Sequence, residues 1–313
     1  MAAQNEPKVP SLDRERILRE LNEDGISIIE SLVSEETLDE MSEAFAAKLE
    51  RQRFNDVDGY EKTERYRRMV QDVLLLSQGF VDAPLHPDLQ AVLREYIGAD
   101  YTLAEAKGWE SLACKRDFHA WHGDAWYDQN LVTEIPKEVK LAVYLTDVQS
   151  GYFCYIKKTH RKFHPRNYRP HEAAHYPASD ILEVPGKRGT AVLFDTSGIH
   201  RQGTPILEPR RAIFYAYHGP SVPLQQEDTE YNRYHPLLLN AALLGNLDEE
   251  SMRVLGFGDK THWHNGVSVP RKHKGFQNVV QTAHQLLLLR DDIRARVASR
   301  LQRQFRFGRK KNP

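Results

Sequence analysis

A histidine and a carboxylate stand two residues apart at His122 and Asp124. Side chains at positions i and i+2 of an extended chain point to the same side, so both can reach one metal ion. A third ligand is expected from His200, which follows the apolar segment 190–195. Two histidines and one carboxylate leave three coordination positions open, which is the ligand set of non-haem iron(II) oxygenases. The spacing therefore predicts a site for a single iron ion.

A pair of arginines, Arg210 and Arg211, follows His200 by ten and eleven residues at the start of an apolar segment. A guanidinium binds a carboxylate through two parallel hydrogen bonds, and a cofactor held at the metal could present such a carboxylate at its far end. Because adjacent strand residues face opposite sides, only one of the two can point toward the metal. Arg210 is the favoured residue and Arg211 is the alternative.

The elements that position these residues are predicted from their hydrophobic pattern. Between residues 101 and 220, short apolar segments rich in β-branched and aromatic residues are separated by turn residues, as is typical of strands. The predicted strands are 140–148, 151–156, 190–195 and 211–217. Since no helical segments alternate with them, they favour a sandwich or barrel over a parallel α/β sheet.

Helical patterns precede and follow this β region. The predicted N-terminal elements are a helix from Ser11 to Asp24-Gly25, a short strand Ile26–Ile29, a helix capped by Ser34, and a helix at 86–97. The predicted C-terminal helices are 237–244, 249–255 and 276–305. With no internal repeat or linker, residues 1–313 are expected to form a single domain with its core at 15–220. The helical extension at 222–313 is a candidate lid or oligomer contact.

Composition argues against several classes of protein. The 313 residues include 43 Lys and Arg against 44 Asp and Glu, so the overall charge gives no sign of a nucleic-acid partner. Two cysteines are too few for a disulfide framework, and the first residues lack the apolar segment of a signal peptide. No segment approaches the roughly 18 apolar residues of a membrane span. A cytoplasmic protein without membrane partners is expected, and its oligomeric state stays open.

The order of these segments resembles the phytanoyl-CoA dioxygenase (PhyH) family of Fe(II)/2-oxoglutarate-dependent oxygenases. The match spans residues 15–220, and the order of its motifs makes it specific. The motifs are Asp24-Gly25, His86-Pro87, Trp121-His122-Gly123-Asp124, Leu145-Thr146-Asp147, Gly151-Tyr152-Phe153, Gly189-Thr190, Leu193-Phe194-Asp195, His200 and Pro209-Arg210-Arg211-Ala212. The resemblance implies a mostly β core folded as a double-stranded β-helix, a jelly-roll or cupin-like barrel flanked by N- and C-terminal helices.

The resemblance also implies roles for individual residues. The expected iron ligands are His122, Asp124 and His200. Arg210, or Arg211 in its place, is expected to bind the C5 carboxylate of 2-oxoglutarate. Gln202 stands where family members often carry a serine that helps to hold this carboxylate, and Tyr144 lies on a strand that lines the co-substrate pocket.

The implied activity is that of a dioxygenase that uses Fe(II), 2-oxoglutarate and O2. It would hydroxylate, or otherwise oxidise, an unactivated C–H bond of a small-molecule substrate and release succinate and CO2. Asp124 favours this chemistry over halogenation, in which a small residue replaces the carboxylate ligand. Arg67 and Arg68 lie in the segment 50–80, an expected part of the pocket lid, and suggest an anionic group on the substrate.

Two other functions stay open. The same fold could act as a non-catalytic binding module, although a decayed site has no reason to retain both the triad and the arginine. The segment His171-Glu172-Ala173-Ala174-His175 fits the HExxH pattern of zinc proteases. Pro170 and Pro177 limit any helix there to about two turns, so this interpretation is the weakest of the three.

Overall fold

The computed structural model describes residues 10–51, 66–117, 120–124, 132–163, 175–219, 237–245 and 247–257. All of them lie in Met1–Gly266, the first of two compact units into which the chain divides. None of the helices in these ranges has the length and apolar character needed to cross a membrane. The predicted helix at 276–305 and the HExxH segment up to residue 174 lie outside the described residues, and the single-domain organisation stays a prediction.

Nine strands in the described residues form two antiparallel sheets. They are β1 (Ile26–Ile29), β2 (Arg67–Val70), β3 (Thr102–Ser111), β4 (Glu138–Tyr144), β5 (Val148–Ile156), β6 (Ile181–Gly186), β7 (Ala191–Asp195), β8 (His200–Gln202) and β9 (Arg210–His218). The larger sheet has the order β1-β7-β4-β9-β3-β2, and the smaller sheet has the order β6-β5-β8. Strands β5, β7 and β9 confirm the predictions at 151–156, 190–195 and 211–217.

The two sheets pack against each other through a shared apolar cluster. Its members on the larger sheet include Ala142, Phe194 and Ala212, and those on the smaller sheet include Phe153 and Tyr155. Since side chains alternate along a strand, each strand of the larger sheet presents one set of residues to this interior and the other set to the outside. The side chains that the larger sheet presents to the space between the sheets therefore determine which chemistry is possible there.

Helices cover the outer face of the larger sheet. They are α1 (Arg14–Asp24), α2 (Glu35–Arg51), α3 (Gln78–Asp82), α4 (Pro87–Tyr96) and α5 (Glu249–Val254). Helix α2 buries Leu38, Met41, Phe45 and Leu49 at helical spacing, as predicted. Helix α1 ends at Gly25, whose φ of 82° is a left-handed conformation that glycine adopts without strain. The predicted N-terminal helices and strand are thereby confirmed, except that α1 begins at Arg14 with Asp13, instead of Ser11, as its N-cap.

Two predicted elements were wrong in extent. The strand predicted at 140–148 is divided, because the Thr146 and Asp147 side chains accept hydrogen bonds from the backbone amides of Arg211 and Arg188 and close a turn. The helix predicted at 237–244 is only the 3-10 turn Ala241–Leu243. Its start is fixed by Asn240, whose extended backbone cannot continue a helix and whose side chain accepts from the Ala242 amide.

Candidate metal centre

His122 and His200 face each other across an isolated antiparallel bridge. The His122 amide donates to the His200 carbonyl over 3.0 Å, and the His200 amide donates to the His122 carbonyl over 2.8 Å. This backbone pairing joins the loop after β3 to the strand β8 and holds the two ring centroids 4.5 Å apart. The two histidines are therefore positioned by the backbone, independently of any ligand.

The two imidazole rings are oriented by the same local hydrogen bond. In each ring Nδ1 lies 2.8 Å from the carbonyl oxygen two residues earlier, that of Ala120 for His122 and that of Gly198 for His200. In a neutral ring Nδ1 then carries the proton, and the lone pair of Nε2 is left for a metal. Burial, together with the neighbouring His200, lowers the pKa of His122 to about 4, so its ring is neutral at physiological pH.

Asp124 completes the group. Its Oδ1 lies 3.5 Å from Nε2 of His122, and its Oδ2 lies 3.6 Å from Nε2 of His200. The ligand atoms of the three side chains all lie within 4.8 Å of one another. Neighbouring ligands at bond lengths of about 2.1 Å lie about 3 Å apart, so small side-chain shifts suffice to hold one ion. The structure brings together the three residues that the sequence singled out.

The Asp124 carboxylate is buried and ionised. Burial alone would raise its pKa, but Lys140 and the two histidines outweigh burial and hold the pKa well below its ordinary value. Lys140 Nζ lies 2.5 Å from Oδ2 of Asp124. The backbone amide of Asp124 also donates to the Thr196 carbonyl over 2.8 Å. The carboxylate is thus available as a ligand without first losing a proton.

A second polar group lies in the same interior, around Arg210. This side chain is 4% exposed, and its Nη1 donates to the Gly151 carbonyl. Burial lowers its pKa, with only Tyr144 and Cys154 acting in the opposite direction. Within the described parts of the chain, no carboxylate forms an ion pair with it. A buried cation without an anionic partner is costly, and a carboxylate ligand would supply the missing charge.

Gln202 lies on the strand of His200 and contacts the register partner of Arg210. It stands two residues after His200 on β8, so both side chains face the same side. Its Oε1 accepts from the Ser111 hydroxyl over 3.5 Å, and Ser111 is the register partner of Arg210. The Nε2 atom of Gln202 is buried with no hydrogen-bond partner among the described residues. Polar side chains, those of Gln202 and Ser111, therefore lie between the strand that carries His200 and the strand that carries Arg210.

Arg211 points the other way. Its Nε donates over 3.0 Å to Oε1 of Glu110, a buried carboxylate that also pairs with Arg68. Register explains this arrangement, because Glu110 is opposite both Arg68 on β2 and Arg211 on β9. Arg68 and Arg211 therefore already share a carboxylate partner, on the face of the sheet away from His122, Asp124 and His200.

Tyr144 approaches Arg210 with its ring, because its hydroxyl is engaged elsewhere. The hydroxyl donates to the Val184 carbonyl over 2.9 Å and accepts from the Phe153 amide over 3.1 Å. These bonds tie the two sheets together. The ring lies 5.7 Å from the Arg210 guanidinium, within the range of a cation–π contact.

The sequence profile of the phytanoyl-CoA dioxygenase (PhyH) family matches residues 21–205, which include β1 to β8 and the three clustered ligands. The chain belongs to the PhyH family. No curated protein matches it by sequence.

Solved structures similar to this PhyH-family chain have few identical residues. HygX from Streptomyces hygroscopicus, with nickel, 2-oxoglutarate and hygromycin B bound, is 20% identical over 69% of this chain and 90% of its own, with a TM-score of 0.51. The epimerase SnoN, with Fe3+, α-ketoglutarate and nogalamycin RO, is 18% identical over 68% and 86%, with a TM-score of 0.52. AviO1 from Streptomyces viridochromogenes Tue57 is 18% identical over 68% and 98%, with a TM-score of 0.52. The likeness shows a shared fold, a mostly antiparallel core of the jelly-roll type.

Several residues that line the interior between the sheets were not predicted from the sequence. They are Lys140, Ser111 and the pair Arg67 and Trp109. The Arg67 guanidinium lies 3.7 Å from the Trp109 ring centroid. Arg67 was expected in a lid, but it is buried on β2 opposite Ser111. The alternation of Glu105, Lys107 and Ser111 along β3, with Trp109 on the same face, was the available signal.

Proposed function

We propose that the protein is an Fe(II)- and 2-oxoglutarate-dependent dioxygenase that oxidises an unactivated C–H bond of a small-molecule substrate, with hydroxylation as its reaction. One observation carries the proposal. The buried Arg210 cation has no carboxylate partner in the described part of the chain. Gln202, two residues after His200, accepts a hydrogen bond from Ser111, the register partner of Arg210. A metal site beside such a guanidinium is suited to an organic acid that binds both.

The donor set fits iron(II). Two neutral imidazoles and one carboxylate suit this ion, and they leave three coordination positions open. His122, Asp124 and His200 would hold the iron. The aromatic rings of Phe153 and Phe194, with centroids 5.7 Å and 5.0 Å from the His200 ring, would shield that side of the site from water.

The polar side chains beyond His200 fit 2-oxoglutarate. Residues i and i+2 of a strand are about 7 Å apart, which is comparable to the length of a five-carbon dicarboxylate. Arg210 would bind its distal carboxylate, and the buried Nε2 of Gln202, which has no partner among the described residues, would donate a further hydrogen bond. The Tyr144 ring would line the same pocket. When bound, iron and 2-oxoglutarate supply the activation of O2 that no side chain can perform.

We further propose that the two sheets are the two halves of a double-stranded β-helix. The fold is consistent with this arrangement. The substrate is proposed to be a small molecule, since HygX and SnoN are described with hygromycin B and nogalamycin RO bound. SnoN is an epimerase, so inversion of a carbon centre is the second candidate reaction. A substrate that gains the mass of one oxygen atom would favour hydroxylation, and an unchanged mass would favour epimerisation.

The proposal is tested by two measurements on the full chain. Anaerobic addition of Fe(II) and 2-oxoglutarate is expected to produce the charge-transfer absorbance of an iron–2-oxoglutarate complex. Addition of O2 and a panel of small molecules is expected to release succinate. The variant Asp124→Ala should lose both signals, whereas Lys48→Met, which breaks a Lys–Asp pair outside the site, should keep them.

The alternatives make different predictions. A protein that shows neither absorbance nor succinate would be a binding module on the same fold. A zinc protease would hydrolyse peptides with added zinc and would lose this activity in His175→Ala. His175 itself is exposed, and the rest of its motif lies outside the described residues.

A further inference from the structure

Lys140 is the cation nearest to the candidate metal ligands in the described structure. It lies on β4, and its register partners are Phe194 on β7 and Ala216 on β9. Its side chain points to the interior between the sheets, as those of Ala142 and Phe194 do. The ammonium nitrogen lies 2.5 Å from Oδ2 of Asp124, and the two side chains are only 12% and 10% exposed. This is a charge-assisted hydrogen bond in a largely dry environment.

The contact distinguishes the two oxygens of Asp124. Oδ1 lies 3.5 Å from Nε2 of His122, and Oδ2 lies 3.6 Å from Nε2 of His200. Oδ2 also accepts from the Lys140 ammonium. The carboxylate is also held at its backbone, since the Asp124 amide donates to Thr196. Each oxygen therefore faces a histidine, and the ammonium on Oδ2 is what makes the two different.

The number of coordination positions makes this difference important. A carboxylate can bind a metal through one oxygen or through both. With two histidines and one carboxylate oxygen, an octahedral ion keeps three open positions. A two-point co-substrate and O2 together need all three. If both oxygens of Asp124 bound the metal, only two positions would remain.

We infer that Lys140 is a positioning residue that holds Oδ2 of Asp124 away from the metal, so that the carboxylate binds through one oxygen. This inference rests on the proposed function for the identity of the metal site. The ammonium neutralises the oxygen that does not bind and leaves the third coordination position free. The chain thus uses a side chain from the larger sheet to set how a ligand from the loop after β3 binds its ion.

The test measures how Asp124 binds the ion in the full-length protein loaded with Co(II), without 2-oxoglutarate or substrate. Crystal structures and Co(II) absorption spectra are compared for the wild type, Lys140→Met and Lys140→Arg. In the wild type and Lys140→Arg, one Asp124 oxygen is expected to bind. In Lys140→Met, both oxygens are expected to bind, and the Co(II) spectrum is expected to change. Lys48→Met is the matched control and should have the wild-type spectrum.

A second measurement is the affinity of each metal-loaded protein for 2-oxoglutarate. In Lys140→Met two positions remain, which suffice for a two-point co-substrate, so the affinity is expected to stay close to that of the wild type. A loss of affinity with single-oxygen binding retained would instead assign Lys140 to direct contact with 2-oxoglutarate and overturn the inference. Two-oxygen binding in the wild type would also overturn it.

These outcomes separate the inference from the proposed function. Coordination is measured without turnover, so a protein that binds Co(II) through one Asp124 oxygen but never releases succinate would support the inference and refute the enzyme. Should Lys140→Met fail to fold, Lys140→Gln retains a hydrogen-bond donor without the charge. It is expected to give partial two-oxygen binding, and an unchanged Co(II) spectrum would count against the role of the charge.

Discussion

The hydroxyl of Tyr96 donates a 2.7 Å hydrogen bond to Oδ2 of Asp195, and this bond joins helix α4 to the end of β7. The same aspartate accepts from the Ser197 amide through Oδ1 over 2.9 Å, and its carbonyl accepts from the Tyr155 hydroxyl over 3.0 Å. Asp195 thereby holds the turn that leads into His200. Burial raises the pKa of Asp195 to about 7, although its hydrogen bonds oppose this shift.

Asp195→Asn is expected to change the pH dependence of stability. In the unfolded chain the carboxyl loses its proton near pH 4, whereas in the folded protein it keeps the proton to about pH 7. Stability therefore falls as the pH rises between these values, by at most ~4 kcal/mol for a shift of this size. The asparagine variant should not show this loss. Urea unfolding of both proteins at pH 5 and pH 8 measures the difference.

The matched control for this prediction is Asp100→Asn, at an exposed position. It should keep the wild-type difference between the two pH values. In Asp195→Asn the introduced amide has one acceptor oxygen where the carboxyl has two, and this adds a cost that is the same at both pH values. The prediction therefore concerns the change in stability with pH, and equal changes in Asp195→Asn and wild type would contradict it.

Arg210→Ala is expected to weaken the binding of 2-oxoglutarate by about 10–100-fold, the loss of a hydrogen-bonded charge pair worth ~1.5–3 kcal/mol. Metal affinity without 2-oxoglutarate should change little, because Arg210 does not contact the three ligands. Titration of the charge-transfer absorbance measures the binding. Arg211→Ala removes a neighbouring charge of the same type that already pairs with Glu110. Should Arg211→Ala weaken binding and Arg210→Ala not, the two roles are exchanged.

Strands β3 and β8 were not predicted from the sequence, and each for a physical reason. The register with β9 places Glu105, Lys107 and Ser111 on the face of β3 toward the interior. The pattern of β3 therefore lacks the apolar alternation typical of a core strand. These positions are polar because they border the site. Strand β8 has only three residues, too few for any periodic signal. Polar residues concealed β3 and short length concealed β8, whereas β4 and β9, which also border the site, were predicted from their apolar pattern.

The grouping of His122, Asp124 and His200 was predictable because their types and order resemble those of a known family, whereas the contacts around them were not. Lys140 is one lysine in the segment KLAVY, and nothing local indicates that it reaches Asp124. That contact arises only when β4 packs beside the loop after β3. Arg210 could be preferred over Arg211 from strand parity alone, and the structure adds the reason, since Glu110 binds Arg211 on the other face.

Gln202→Leu is expected to make the protein more stable but to weaken its binding of 2-oxoglutarate. It removes a buried donor that has no partner among the described residues, at the cost of the long 3.5 Å bond from Ser111. The desolvated donor outweighs this weak bond, so the protein without 2-oxoglutarate should be more stable, by ~1 kcal/mol. The affinity for 2-oxoglutarate should fall about 5–10-fold, because one hydrogen bond to its carboxylate is lost. Thermal unfolding with and without 2-oxoglutarate measures both effects. A loss of stability without ligand would mean that the amide supports the fold.

Gly198→Ala is expected to damage the metal centre from outside it. A Cβ atom at this position would lie 1.9 Å from the Tyr155 hydroxyl oxygen, whereas real Cβ atoms essentially never come within 3.0 Å. Either Tyr155 loses its bond to Asp195 or the Gly198 carbonyl, which orients His200, moves. A cost of ~1–3 kcal/mol is typical of such overpacking, and metal affinity should fall with it. Gly245→Ala, where nothing lies within 4 Å of the added atom, is the control for urea unfolding and Co(II) titration. Wild-type metal affinity in Gly198→Ala would show that His200 does not depend on this packing.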